Sequence, residues 1–162
     1  MPAVSNTSPL SNLAIIDRLE ILRGQLGQII IPVAVQLELD RLSHAGARLR
    51  LAAALHDGWL RVMPLTAPVP PAFAAALDPG EAEALALAAQ VKATLVLLDE
   101  SAARLKASQL GIPHIGVLGV MLRAKQSGQI LSLAIEIRKL RQDARFFVGP
   151  ALEKRLLATV GE

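Results

Sequence analysis

The sequence predicts an α/β fold in which a small parallel β-sheet lies between two layers of helices. The aliphatic runs at residues 28–31 and 94–98 show no polar alternation, which is typical of parallel strands covered on both faces. Helical segments separate each predicted strand from the next, and this alternation favours one parallel sheet. The chain has 162 residues, which is enough to bury a core of its own.

The first predicted strand is very short and leads directly into a helix. Residues 4–6 form this strand, and Ser8 and Pro9 have the pattern of an N-cap followed by proline at the first helical position. This helix is expected to run to about residue 23, before Gly24 and Gly27. The next predicted elements are a buried strand at 28–31, helices over 32–42 and 43–57, and a short strand at 59–62.

A proline-rich loop over residues 64–72 precedes the second half of the chain. Asp78, Pro79 and Glu81 then match a capping box, with Asp78 as N-cap and Glu81 as the third helical residue. The remaining predicted elements are a helix to about 92, a strand at 94–98, a helix to about 110, a strand at 112–117, and two or three helices after it, broken at Gly128 and at Gly149-Pro150.

Composition and motifs exclude several classes of chemistry. The chain has no cysteine, which excludes disulfide frameworks, thiolate metal sites and thiol nucleophiles. Phosphate-binding P-loops, dinucleotide-binding glycine fingerprints and the G-x-S-x-G elbow of hydrolases are all missing. Aromatic residues make up only 2% of the chain, so we do not expect RNA to be bound by stacking bases on rings.

No targeting or membrane segment is visible in the sequence. The N-terminus lacks a basic region followed by an apolar stretch, and no apolar run approaches the roughly 20 residues that span a bilayer. We therefore expect a cytoplasmic protein without a membrane partner.

Charge is distributed unevenly along the chain. Residues 1–100 contain seven Lys or Arg against ten Asp or Glu, whereas residues 101–155 contain ten against three. A basic second half indicates an anionic partner, although a solvated helix surface explains the same asymmetry.

Two polar residues stand at the carboxyl ends of predicted strands, where ligands bind in open parallel sheets. Asn6 stands at the end of the first strand, and Asp99 directly follows the strand at 94–98. Asp99 is also well placed to act as N-cap of the helix that follows it.

Two predicted helices carry further acids on apolar faces. Glu38 has mostly apolar neighbours at helical spacing, so it is expected to point inward, either as a ligand or in an ion pair with Arg41. Glu81 and Glu83 both have apolar neighbours, and spacing barely separates them. Carboxylates that converge without His or Cys suit hard cations such as Mg²⁺ or Mn²⁺. Such ions assist in-line displacement at phosphodiesters.

Four segments occur in a characteristic order along the chain: Val4–Leu10, Ile31-Pro32 with Val35 and Glu38-Leu39, Pro79–Ala84, and Leu97–Glu100. Together they resemble a PIN domain, and the resemblance covers roughly residues 3–130. It is closest to a branch with an Asn-Thr-Ser-Pro-Leu start and a Gly-Glu-Ala-Glu-Ala helix, similar to VapC-like toxins of toxin–antitoxin pairs. On this basis we expect a single PIN-like domain over residues 1–162, with a helical tail from about 130 to 162.

The resemblance implies a ribonuclease that depends on Mg²⁺ or Mn²⁺, acts on RNA, pairs with an antitoxin and forms a homodimer. An uncharged Asn6 at the first acidic position departs from the acidic pattern, so the alternative is a catalytically inactive PIN-fold module that binds RNA or a protein. The implied catalytic residues are Asn6, Glu38, Glu81 and Asp99; the implied metal ligands are Glu38, Glu81 and Asp99, with Asn6, Glu83 and Glu100 as further candidates; and the implied RNA-binding residues are Arg104 and Lys106.

Overall fold

Five short strands form one sheet in which every paired neighbour is parallel. A computed structural model of the chain describes residues 2–162. The strand order is β3-β2-β1-β4-β5, so β1 and β4 lie side by side near the middle of the sheet. The strands are β1 (Ala3–Ser5), β2 (Ile29–Ile31), β3 (Leu60–Val62), β4 (Leu95–Leu97) and β5 (His114–Ile115).

Helices connect the strands and cover both faces of the sheet, which confirms the predicted α/β class. Among residues 2–162, no helix is both long and apolar enough to cross a membrane. The helices are α1 (Thr7–Ile15), α2 (Glu20–Leu26), α3 (Val33–Asp40), α4 (Ala45–His56), α5 (Pro71–Ala76), α6 (Pro79–Gln90), α7 (Ser101–Gln109), α8 (Val117–Gln126), α9 (Leu133–Asp143) and α10 (Pro150–Thr159).

The pleat of the strands divides the core into two parts. Along β2, Ile29 and Ile31 face one cluster of buried side chains, and Ile30 faces the other. The first cluster includes side chains from α1, α2, α4, α8 and α9, and the second includes side chains from α5, α6 and α7. Because both faces of the sheet are covered at β2 and β4, these two strands contain no polar alternation, whereas Arg61 of the edge strand β3 is exposed.

The helix expected from residue 9 to 23 is in fact two helices. The helix is interrupted at Asp17, whose φ is 58°. Arg50 stabilises this interruption. The Arg50 guanidinium lies 3.0 Å from the Asp17 carboxylate and donates to the carbonyl of Ala14 at 2.7 Å, near the end of α1. The helix after the break continues through Gly24, and Gly27 with φ 70° ends it.

The C-terminal helices pack on the same core as α1. Leu133, Ile137 and Leu140 of α9 are fully buried there. The carboxylate of Glu162 accepts hydrogen bonds from the Ser132 hydroxyl at 2.8 Å and from the Leu133 amide at 2.7 Å. The end of the described chain is thereby joined to the N-terminus of α9.

Candidate active site

An acidic cleft of about 340 Å³ lies where β1 ends and the first turns of α1 and α6 meet α3. Four of the sequence-predicted site residues line the same cleft: Asn6, Glu38, Glu81 and the further candidate Glu100. The remaining lining residues, which were not predicted, are Thr7, Ser8, Ser11 and Asp78.

Asn6 connects the two central strands and begins α1. Its backbone N–H donates to the carbonyl of Leu97 at 3.1 Å. The residue is the N-cap of α1, and its side chain makes no capping hydrogen bond within residues 2–162. Its side-chain oxygen Oδ1 is buried and has no hydrogen-bond partner among residues 2–162. A buried polar oxygen without a partner is costly unless a ligand satisfies it.

Glu38 is held by the first residue of α1. Its Oε2 accepts a hydrogen bond from the Thr7 hydroxyl. The expected alternative, an ion pair with Arg41, is wrong: within residues 2–162 the Glu38 carboxylate has no cationic partner. Gly80, at the start of α6, provides the space that the carboxylate occupies.

Glu81 forms the predicted capping box and still faces the cleft. The Asp78 carboxylate accepts from the Glu81 amide at 2.8 Å, and the Glu81 carboxylate accepts from the Asp78 amide at 3.1 Å. Burial raises the pKa of the Glu81 carboxyl, and the Asp78 amide partly opposes this shift. The negative charges of Asp78, Glu100 and Glu38 raise the same pKa further. A cation bound in the cleft would therefore be stabilised by these charges.

Glu83, the alternative to Glu81, faces a different element. Its Oε2 accepts from the Ala34 amide at 3.0 Å, in the first turn of α3. A carboxylate there satisfies an exposed helical N–H and complements the helix dipole. The structure therefore brings Glu81 into the cleft and gives Glu83 a helix-capping position.

Asp99 lies next to the cleft rather than in its lining. The predicted cap of the following helix is wrong, because Glu100 is the N-cap of α7; Asp99 instead accepts from the Val117 amide at 2.8 Å, at the start of α8. Its other oxygen accepts from the Ser8 hydroxyl at 3.1 Å. Ser8, expected to be the N-cap of α1, is thus the link between Asp99 and the cleft.

Opposing effects act on the Asp99 carboxyl, and burial is the largest of them. Burial raises its pKa, whereas the hydrogen bonds from Val117 and Ser8 and the charge of Arg104 lower it. The net shift is upward. This carboxyl therefore binds protons more readily than an exposed aspartate does.

The two predicted RNA-binding cations lie on different parts of the surface. Arg104 is exposed and lines a second groove together with Asp99. The ammonium of Lys106 lies 5.4 Å from the ring centroid of Phe73, on the face of the sheet that α5 and α6 cover. Only Arg104 is close to the predicted acids.

The cleft offers oxygen donors alone, which suits a hard divalent cation. Among residues 2–162, no three His, Cys, Asp or Glu side chains are grouped so as to hold a metal ion. The unpartnered amide oxygen of Asn6, beside the carboxylates of Glu38 and Glu81, supplies a neutral donor to the set. Amide and carboxylate oxygens are the ligands that Mg²⁺ and Mn²⁺ prefer, so the donor chemistry fits such an ion.

An acidic cleft of this kind at the carboxyl edge of a parallel sheet is consistent with a nuclease-type α/β fold. The family DUF3368, described as a PIN domain, matches residues 2–162, and the chain therefore belongs to the PIN domain family. PIN domains are generally nucleases, and PIN nucleases generally use divalent metals. No curated protein matches the chain.

The sequence prediction missed Thr7 and Ser8 as site residues. Both hydroxyls contact predicted acids, and the only local signal for them is that they directly follow Asn6 at the end of a strand. The predicted PIN family is confirmed, whereas the VapC-like branch stays a prediction.

Proposed function

We propose that this protein is a metal-dependent endoribonuclease that hydrolyses RNA phosphodiester bonds and serves as a VapC-like toxin in the cytoplasm. The observation that carries the proposal is the cleft in which Glu38 and Glu81 lie beside the unpartnered Oδ1 of Asn6. Membership in a family of nucleases supports the same reaction class.

Asn6, Glu38 and Glu81 are the groups that would hold Mg²⁺ or Mn²⁺, with Asp99 and Glu100 as adjoining carboxylates. Both Asp99 oxygens already accept one hydrogen bond, and each keeps a second lone pair for a further contact. When bound, such an ion lowers the pKa of water and stabilises the departing oxygen of a phosphodiester.

The residues of the chain contribute orientation and charge to this chemistry. Thr7 fixes the rotamer of Glu38, and the Asp78 amide fixes that of Glu81. Because these contacts exist before substrate arrives, the carboxylates need little reorganisation during the reaction. Glu100 adds negative charge at the exposed edge of the cleft.

Arg104 is the cation best placed to bind an RNA phosphate near these acids. It is exposed beside Asp99, and it makes no ion pair within residues 2–162. Lys106 was predicted for the same role, but its ammonium lies over the ring of Phe73, on the face of the sheet that α5 and α6 cover. Its role in binding RNA stays a prediction.

An antitoxin and a second copy of the chain are the proposed protein partners. Val33, Leu37 and Leu49 are exposed apolar side chains on α3 and α4. Co-expression with the product of a small neighbouring reading frame tests the antitoxin, and sedimentation equilibrium tests the dimer. Loss of cell growth on expression alone, relieved by that partner, is the expected result for a toxin.

A binding module without catalysis is the second candidate function. It is favoured by the uncharged Asn6 and by the lack, within residues 2–162, of three His, Cys, Asp or Glu side chains placed so as to hold a metal ion. Such a module would bind RNA or a protein partner at the same edge of the sheet.

An RNA-cleavage assay separates the two candidates. Wild type, Asp99→Asn and Glu83→Gln are compared on several unstructured RNAs with Mn²⁺, with Mg²⁺ and with EDTA. The nuclease proposal expects cleavage by wild type and by Glu83→Gln, strong loss in Asp99→Asn, and none in EDTA. Equal activity of wild type and Asp99→Asn, or no cleavage by either, favours the binding module.

A further inference from the structure

A second groove of about 400 Å³ adjoins the acidic cleft on the other side of Asp99. Its walls come from α7, β5, α8, α10 and the segment that joins α9 to α10. Asp99 connects the two, because it lines this groove and accepts a hydrogen bond from Ser8, which lines the cleft. A polymer that occupies the cleft can therefore continue into the groove.

Phe147 presents an aromatic ring at this groove with 85% of its surface exposed. The ring does not belong to a loose segment, because the next residue, Val148, is buried and the amide of Phe146 donates to the Leu140 carbonyl at 3.0 Å. An exposed aromatic ring on an anchored backbone is typical of a contact surface, since its burial by a partner is favourable.

Two arginines, one in this groove and one near it in the sequence, favour an anionic partner. Arg104 lines the groove, and Arg145 lies two residues before Phe147 and is exposed. Neither guanidinium makes an ion pair within the part of the chain that the structure describes. The one carboxylate in the groove, Asp99, is engaged by Val117 and Ser8.

We propose that this groove binds one unpaired nucleotide of a single-stranded RNA, with its base stacked on Phe147 and its phosphate beside Arg104. This inference rests on the proposed function, because the RNA is taken to run from the cleft into the groove. It adds a nucleobase subsite to that function. It also revises the expectation from composition: the chain has few aromatics, yet two of its three phenylalanines line this groove.

The groove is tested by RNA binding without turnover. A fluorescein-labelled single-stranded RNA of mixed sequence is titrated in EDTA and in Ca²⁺, together with a set of the same RNA carrying one abasic position each. The variants are Phe147→Ala, Phe147→Leu, Phe147→Trp and Arg104→Ala. Leu131→Ala is the matched control, because Leu131 is 94% exposed and does not line the groove.

We expect Phe147→Ala and Phe147→Leu to weaken binding by about 5- to 100-fold, as for loss of one stacked base. Phe147→Trp should bind RNA with the affinity of wild type. One RNA of the abasic set, the one that lacks the stacked base, should bind wild type and Phe147→Ala with the same affinity. RNA should quench the indole fluorescence of Phe147→Trp, since a base would stack on the new ring. This change can be read because the native Trp59 is only 6% exposed and supplies a constant background.

Unchanged RNA affinity in Phe147→Ala, or no affinity of wild type in either buffer, would overturn the nucleobase subsite. A fluorescent polyglutamate peptide is titrated in parallel; weaker peptide binding with unchanged RNA binding would assign the groove to an acidic protein segment instead. Cleavage is not read in this experiment. A wild type that binds in this way and never cleaves RNA therefore supports the groove while it refutes the nuclease.

Discussion

The Glu38 carboxylate occupies the space beside the α-carbon of Gly80. A Cβ placed on residue 80 would lie 2.5 Å from Oε1 and 2.9 Å from Oε2 of Glu38. Gly80 is the second residue of α6, so the start of one helix and an acid of another share this space. The glycine is required here by close approach rather than by backbone conformation.

Gly80→Ala should displace the Glu38 carboxylate without unfolding the protein. The carboxylate is the far end of a flexible side chain, and alanine is favoured over glycine in a helix by up to about 1 kcal/mol. We expect cleavage to fall roughly 10- to 100-fold, as when a group that orients a metal ligand is lost, with no decrease in melting temperature. Gly46→Ala is the matched control, because Gly46 is the second residue of α4 and lies away from the cleft.

Glu81→Gln should lower activity, whereas Glu83→Gln should leave it nearly unchanged. Glutamine at 81 keeps an oxygen to accept from the Asp78 amide but removes the charge, so cleavage should fall by at least roughly 10-fold. Glutamine at 83 keeps an acceptor for the Ala34 amide outside the cleft, so cleavage should stay within about twofold of wild type. Initial rates in Mn²⁺ measure both, and a larger loss at 83 would exchange the two roles.

The raised pKa values of the Glu81 and Asp99 carboxyls predict opposite pH trends for stability and for cleavage. A carboxyl whose pKa is raised by folding destabilises the fold when ionised, and this cost disappears as the pH falls below the raised pKa. In EDTA, Glu81→Gln should therefore melt above wild type, and this difference in melting temperature should be largest near neutral pH. Cleavage should decrease over the same acid range. A difference that grows toward acid pH would contradict this assignment.

Asn6→Asp should make stability depend on a divalent ion. The substitution adds a charge at a residue that is only 4% exposed, beside other acids, so the melting temperature in EDTA should fall. Mn²⁺ should restore it and raise it more than in wild type, since an ion at 100 times its Kd stabilises by about 2.7 kcal/mol. Ser11→Asp, at a half-buried residue that lines the same cleft, is the comparison variant. An equal Mn²⁺ response in both variants would remove Asn6 from the ligand set.

Glu162→Gln should loosen the contact between the chain end and α9. The hydrogen bonds from Leu133 and Ser132 lower the pKa of the Glu162 carboxyl to about 2. Its contribution to stability is therefore complete above the ordinary pKa of 4.5 and is lost as the pH falls toward 2. Wild type should melt higher than Glu162→Gln at pH 7, and the two curves should converge in acid. A constant difference across this range would show that the charge does not matter.

The fold was largely predictable because buried strands and helix caps leave local patterns. The runs at β2 and β4 and the capping box of Asp78 and Glu81 were each visible in a few consecutive residues. The break at Asp17 was not, because it depends on Arg50, which is 33 positions away in the sequence. Contacts of that separation leave no local periodicity.

The candidate site was predictable by residue type more than by contact. Strand ends and the family resemblance placed Asn6, Glu38 and Glu81, which share the cleft. Spacing alone did not separate Glu81 from Glu83, because both have apolar helical neighbours and only the position of α3 distinguishes them. The link between Ser8 and Asp99 joins residues 91 apart and depends on the strand order.

Thr7 and Ser8 are adjacent residues in the first turn of α1, and each holds a different acid. Thr7 donates to Glu38 from α3, and Ser8 donates to Asp99 after β4. A small rotation or shift of this helix end therefore moves both hydroxyl donors together. Glu38 and Asp99 come from distant parts of the sequence, yet neither can be reoriented through α1 without the other. A molecule that binds α1 could thus change the geometry of both acids at once.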